Sequence, residues 1–191
     1  MFLQVYRGLV ADREEAHAAL DRWSASLGTG WQGTTAGVTD DGHSVTLVRY
    51  DSADAAVPTG ARRTWWTEMS ALSSDPMTCR DCAEVMTQLG GDSADAGFVQ
   101  VLQGRIADLD RLQRLLTEAA DWQAETRTDL IGGFLGLHGD GRFTQAVYFT
   151  SEDAAWEGAR TQPAVDTGDL DALVDDLTFY DLRQPWAYSP H

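Results

Sequence analysis

The chain has 191 residues, and 30 acidic against 14 basic side chains give it a formal net charge of −16. A surface this negative repels phosphate backbones and anionic headgroups, so the composition argues against nucleic-acid and membrane-surface partners. All 14 basic residues are arginine, and the lack of lysine and asparagine excludes a Schiff-base lysine, a Walker-type phosphate loop and any asparagine amide at a site.

The amino-terminal sequence and the cysteine content bear on where the protein resides. Residues 1–7 lack the charged segment and apolar run of a secretory signal, and no apolar run is long enough to span a bilayer. Two cysteines are too few for a secreted disulfide scaffold. We therefore expect a cytoplasmic protein.

The first half of the chain begins with the pattern of a strand, a helix and a hairpin. Residues 2–8 form a short β-rich run, which predicts a strand. Asp12 stands at an N-cap position with Glu15 three residues later, and apolar residues then recur at helical spacing. Asp41 and Gly42 lie between apolar runs, which is the strongest short-range signal for a β-hairpin.

A second helix and a closing strand should follow the hairpin. Ser52 is placed to cap that helix, with Asp54 in its first turn. Residues 77–81 are the predicted closing strand, and residues 89–96 form a small polar linker.

The second half repeats this order. Residues 98–104 and 177–182 are predicted strands, and Asp108 and Ser151 are the corresponding helix caps. An Asp-Gly pair at 140–141 predicts the second hairpin turn.

The two halves are also similar residue by residue. Residues 2–12 share six of eleven positions with residues 98–108, and residues 37–56 share eight of twenty with residues 136–155. Unrelated sequences would share roughly 2 positions over the same length. We interpret the chain as an internal tandem duplication.

Each copy has the order βαββαβ, which predicts an α+β fold of two ferredoxin-like modules in tandem. The predicted modules are residues 1–88 and 97–185, joined by the linker at 89–96. A four-stranded sheet covered by helices on one face leaves its other face bare, and a second copy is able to cover it.

The sequence resembles a known group of proteins, most clearly in its second half. The run at 97–104, the Ala-Asp pair at 107–108 and the hairpin segments at 139–144 and 147–152 carry the resemblance. Together with the order of elements, they resemble the dimeric α+β barrel superfamily, and within it the antibiotic biosynthesis monooxygenases in a tandem form.

The resemblance implies an intramolecular dimeric α+β barrel, in which one chain supplies both halves of the usual homodimer and leaves room for a further homodimer. The family includes cofactor-independent oxygenases of polycyclic phenols and quinols, and haem-degrading enzymes. The haem degraders rely on a pocket asparagine, which this chain lacks, so the resemblance argues against haem degradation. We expect no cofactor.

Two neighbouring tryptophans are candidate substrate-binding residues, because the family's pockets lie between the helices and the sheet. Trp65 and Trp66 fall in the predicted second helix of the first copy. Adjacent helical residues diverge by about 100°, so one of them should face the sheet. It would serve as an aromatic wall for a flat substrate or as a core anchor.

Three residues on the hairpins are candidate catalytic residues. His138 precedes the second hairpin turn, where it is either a general base for a phenol or a solvated histidine. Tyr148 and Arg49 occupy equivalent positions in the two copies. A guanidinium holds a phenolate and a tyrosine donates to a ketone, but an edge-strand pair is the alternative.

Gln4 and Gln100 are the remaining candidates for substrate binding. They are identical in the repeats and share a strand face with Phe2 and Phe98, so their amides should be buried and need partners. They would line a pocket or form a hydrogen bond across the barrel between the copies.

The sequence predicts no metal site and no cofactor site. Cys79 and Cys82 have C-x-x-C spacing, but no further pair of ligands accompanies them. Phosphate loops and nucleophile elbows are lacking as well.

Two classes of function remain open. The first is a cofactor-independent monooxygenase acting on an aromatic or polyketide-like small molecule. The second is a non-catalytic α+β barrel protein that binds a hydrophobic or aromatic small molecule or has a structural role.

Overall fold

The computed structural model describes residues 1–56, 60–89, 93–161 and 173–190. Two compact units divide the chain. Unit 1 comprises Met1–Val85 with Leu182–His191, and unit 2 comprises Met86–Asp181. The predicted linker at 89–96 contains a short 3-10 turn at Ser93–Asp95.

The first copy begins with a strand and a well-capped helix. Its elements are β1 (Phe2–Leu9), α1 (Arg13–Ser24), β2 (Trp31–Val38), β3 (His43–Tyr50), α2 (Gly60–Leu72), β4 (Thr78–Cys82) and β5 (Glu84–Gln88). The Asp12 side chain accepts a hydrogen bond from the Glu15 backbone N–H at 2.9 Å, which confirms the predicted cap. Gly42 turns the hairpin with a φ of 88°, a left-handed conformation that glycine adopts without strain.

The second copy follows the same order. Its elements are β6 (Phe98–Ile106), α3 (Leu109–Thr126), β7 (Leu130–Leu137), β8 (Arg142–Phe149), α4 (Glu152–Thr161), β9 (Val174–Arg183) and β10 (Trp186–Tyr188). Asp108 caps α3 and Ser151 caps α4, as the sequence predicts.

The helix predicted to begin after Ser52 begins later in the chain. Ser52 Oγ accepts a hydrogen bond from the Ala55 backbone N–H, but this caps only a 3-10 turn at Asp54–Ala56. The α-helix itself starts at Gly60.

Each unit contains a five-stranded sheet. The strand order is β10-β2-β3-β1-β4 in unit 1 and β5-β7-β8-β6-β9 in unit 2. The outer strands β5 and β10 are not among the predicted elements. The fold class is confirmed: the chain is an α+β protein with two ferredoxin-like modules.

Both faces of each sheet contain buried side chains, although the helices of the described residues pack on one face. On β1, Phe2 and Tyr6 pack with the helices, while Leu3 on the opposite face is fully buried. In unit 2, Phe98 packs on the helix side, and Val99 on the opposite face is fully buried. No helix among the described residues is long and apolar enough to cross a membrane.

Candidate functional site

The structure separates the predicted site residues by sheet face. Successive side chains of a strand point to opposite faces. Gln4 lies on the helix side with Tyr6, whereas Arg49 pairs with Leu3 and lies on the opposite face of the same sheet. The glutamine and the arginine therefore do not share a pocket.

In unit 2, His138 and Tyr148 also lie on the face away from the helices. His138 Nε2 is 2.9 Å from Thr144 Oγ1, and Tyr148 pairs with Val99. His138 is 7% exposed, so the alternative of a solvated histidine was wrong. The edge-strand alternative for Tyr148 and Arg49 was also wrong, because β8 and β3 are interior strands. The catalytic roles of His138, Tyr148 and Arg49 stay predictions.

The two predicted glutamines make equivalent contacts in the two units. Gln4 Nε2 donates to Asp81 Oδ1 at 2.9 Å, and Gln100 Nε2 donates to Asp181 Oδ1 at 3.0 Å. Each aspartate lies on the outer strand beside the glutamine's own strand. Each glutamine thus has a hydrogen-bond partner within its own sheet, and its role in substrate binding stays a prediction.

Three of the predicted residues meet in an aromatic cluster beneath α2 in unit 1. Trp65 stacks on Trp23, with ring centroids 4.1 Å apart and planes 16° apart. Tyr6 meets Trp65 edge-on at 4.9 Å, and the half-buried Trp66 lies 6.0 Å from Tyr6. Gln4 joins the cluster by accepting a hydrogen bond from the Tyr6 hydroxyl at 2.7 Å.

One cation lies against this aromatic cluster. The Arg62 guanidinium is 5.4 Å from the centre of the Tyr6 ring, within the range of a cation–π interaction. Its Nη2 also donates to Cys79 Sγ at 3.6 Å. Both Arg62 and Cys79 are half-buried, so the positive charge lies at the margin of the cluster.

The weak acids of the cluster stay neutral at physiological pH. Burial raises the pKa of Tyr6 far above its ordinary value and raises the pKa of Tyr50 to about 12. Burial also raises the pKa of the Cys79 thiol, against the lowering effect of Arg62. These three groups consequently do not cancel the positive charge of Arg62.

Two buried donors complete the cluster. The indole Nε1 atoms of Trp23 and Trp65 are buried and have no hydrogen-bond partner among the described residues. A buried donor without a partner costs roughly 1–3 kcal/mol, so an acceptor placed beside either indole is favoured. Arg62 and these donors together suit an oxygen anion on a flat ring.

Sequence reasoning missed Tyr6, Trp23, Arg62 and Cys79 as members of this cluster. Two signals were available. Tyr6 shares its strand face with Gln4, and Arg62 stands one helical turn before Trp65 and Trp66.

The described part of the chain contains no group of three or more side chains placed to hold a metal ion. Cys79, which is half-buried, and Cys82, which is fully buried, form no disulfide bond within the described residues.

Comparisons with known proteins give a fold but no sequence family. No family model matches the sequence, and no curated protein matches it significantly. A proposed monooxygenase from Lactobacillus acidophilus superposes with a TM-score of 0.73 at 11% identity, covering 95% of this chain and 92% of that one.

Two further solved structures are similar. An anthrone oxidase-like protein gives a TM-score of 0.66 at 13% identity, with 98% of this chain and 92% of that one covered. A ferredoxin fold protein from Listeria monocytogenes, related to antibiotic biosynthesis monooxygenases, gives 0.54 at 11% identity and covers 100% and 95%. Identities this low establish a shared fold alone.

Proposed function

We propose, from the premise that the chain has the ferredoxin-like fold of antibiotic biosynthesis monooxygenase-like proteins, that it is a cofactor-independent monooxygenase. Its substrate would be a flat aromatic or polyketide-like small molecule that ionises at a phenol or at an activated carbon. The site would be the aromatic cluster of unit 1, entered at its half-buried margin beside Trp66 and Arg62.

The observation that carries the proposal is the set of groups around Tyr6. Arg62 supplies a positive charge over the ring, and the indoles of Trp23 and Trp65 supply two buried N–H groups. Such groups stabilise an anionic oxygen in an apolar layer, where electrostatic interactions are stronger than in water. An enolate or phenolate bound there would form at a lower pH than in solution.

The proposed reaction balances without a cofactor. The bound carbanion passes an electron to O2, and the two radicals combine to form a C–O bond. The resulting hydroperoxide loses water to leave a ketone, so that a CH2 group and O2 give C=O and H2O. The chain's own part is to hold the anion and to exclude water.

A non-catalytic role is the second candidate, and the packing of the same cluster favours it. Trp65 is 1% exposed and stacked on Trp23, as expected for a core anchor. In that case the cluster would stabilise unit 1 or hold an aromatic ligand without turnover.

Oxygen uptake tests the proposal. Purified protein should consume one molecule of O2 for each molecule of anthrone. The rate should exceed that of anthrone in buffer without protein, and a metal chelator should not lower it. Arg62→Gln should lower kcat/KM by about 10- to 100-fold, because the charge that stabilises the anion is lost. Arg63→Gln, on the exposed face of the same helix, is the matched control and should leave the rate unchanged.

Each of the following results would contradict the proposed monooxygenase activity. Saturable binding of anthrone without O2 uptake would indicate a binding protein. If anthrone is neither bound nor oxidised, a structural role would remain. An equal loss of rate in both arginine variants would show that net charge, and not the cluster, sets the rate.

A further inference from the structure

A second concave site lies in unit 1, at the carboxyl end of α1. It is a half-open cleft of about 560 Å³. Asp21, Ser24, Trp31 and Tyr188 line it, together with small and apolar residues of the helix end and of the chain's last residues. A volume of this order holds a small organic molecule.

The cleft contains a carboxylate held in place by a tyrosine. The Tyr188 hydroxyl donates to Asp21 Oδ1 at 2.6 Å, and this hydrogen bond helps to raise the pKa of Tyr188, after burial. His17 Nε2 lies 3.6 Å from the same oxygen, beyond hydrogen-bond length. Asp21 Oδ2 accepts no hydrogen bond from the described residues, and so it is available to a ligand.

The electrostatics of the cleft favour a cation. α1 ends at Ser24, and the carboxyl end of a helix carries partial negative charge. Asp21 adds a full negative charge, and none of the described residues that line the cleft is basic. The rings of Trp31 and Tyr188 supply aromatic walls, and the Trp31 ring is fixed by its Nε1 donating to Thr34 Oγ1 at 3.1 Å.

We infer that this cleft binds a small organic ammonium ion that carries an aromatic ring. The ammonium group donates to Asp21 Oδ2, and the ring packs against Trp31. This site is separate from the aromatic cluster of the proposed function, and it does not depend on that cluster being catalytic.

Isothermal titration with three ligands of similar shape tests the inference. Tryptamine should bind the full-length protein, indole should bind at least about 10-fold more weakly, and indole-3-acetate should not bind, because only tryptamine carries the cation. Equal affinities for tryptamine and indole-3-acetate would overturn the inference, as would an absence of tryptamine binding.

Variants then locate the binding. Asp21→Asn keeps an acceptor for Tyr188 and should weaken the binding of tryptamine about 10-fold. Glu14→Gln removes the same charge from the exposed face of the same helix and should leave the affinity unchanged. Equal weakening by Glu14→Gln and Asp21→Asn would assign the effect to net charge and overturn the cleft. If a variant does not fold, the titration of the unaltered protein with tryptamine, indole and indole-3-acetate still tests the inference.

Discussion

The layer between helices and sheet is built differently in the two units. In unit 1 it contains the rings of Tyr6, Trp23 and Trp65 with a guanidinium beside them. In unit 2 its buried residues are leucines, a valine, an alanine and phenylalanines, with Leu112, Leu135 and Phe98 among them. Both units have the same strand framework, so this framework does not require the aromatic cluster.

A buried polar network of unit 2 lies on the other side of its sheet. Thr144 Oγ1 accepts a hydrogen bond from Gln103 Nε2 at 2.9 Å and contacts His138 Nε2 at the same distance. The repeat alignment places Arg7, Thr39 and Val45 at the equivalent positions of unit 1. The candidate site of unit 1 thus lies between its helices and its sheet, whereas unit 2 has a buried polar network on the sheet face away from its helices.

The largest expected effect comes from emptying the aromatic layer. Trp65→Ala should lower the free energy of unfolding by about 3–5 kcal/mol, because it leaves a cavity against Trp23. Trp156→Ala in unit 2, at a tryptophan 43% exposed, is the control and should cost under about 1 kcal/mol. Urea unfolding followed by far-ultraviolet circular dichroism measures both. Equal losses would mean that the aromatic layer is not a packed core.

The second prediction concerns an ion pair of unit 2 that unit 1 lacks. Arg127 forms two hydrogen bonds with the Asp129 carboxylate, at 2.8 and 2.7 Å, and the hydrogen bonding to Arg127 holds the pKa of Asp129 below its ordinary value. The repeat alignment places Gly30 at the position of Asp129 in unit 1.

A depressed pKa in the folded state stabilises the protein above the unfolded pKa, which is about 3.9 for aspartate. That contribution disappears as the pH falls through the folded pKa. Asp129→Asn should therefore cost about 1–3 kcal/mol at pH 7 and show a smaller further loss between pH 5 and pH 2 than the unaltered protein. Asp140→Asn, at an exposed pair, is the control. Parallel pH profiles for Asp129→Asn and the unaltered protein would contradict the prediction.

The smallest expected effect comes from exchanging equivalent residues. Thr144→Val should cost about 1–2 kcal/mol, because His138 and Gln103 lose this hydroxyl as a partner. The reverse change, Val45→Thr, should also destabilise the chain by about 1 kcal/mol, because it places a hydroxyl at a fully buried position. Thermal unfolding of both variants measures this. A neutral Thr144→Val would show that the network contributes nothing to stability.

Local sequence signals predicted eight of the ten strands, the hairpin turns and most helix caps, but not the outer strands β5 and β10. The cap at Asp12 and the turn at Gly42 depend on neighbouring residues only, so they could be derived without the fold. The strand pattern also predicted that Gln4 shares a face with Phe2. The start of α2 could not be derived in this way, because Ser52 caps a 3-10 turn in place of the helix.

The candidate site depended on packing that no local signal specifies. From the sequence, Trp65 was either the aromatic wall of a substrate pocket or a core anchor. Its contacts with Trp23 and Tyr6 bring together residues of three separate elements. The partner of Gln4 is Asp81, which is far along the chain and is brought near by strand pairing. The burial of His138 follows from the covering of a sheet face, which the hairpin sequence does not encode.

The sequence by itself determined the repeated order of elements, the absence of lysine chemistry and the negative charge of the chain. These properties follow from composition and from interactions between residues close in sequence. Only the tertiary structure decided which side chains share a sheet face, which donors are buried and where the cleft at the end of α1 forms, because long-range strand pairing and helix packing set those distances.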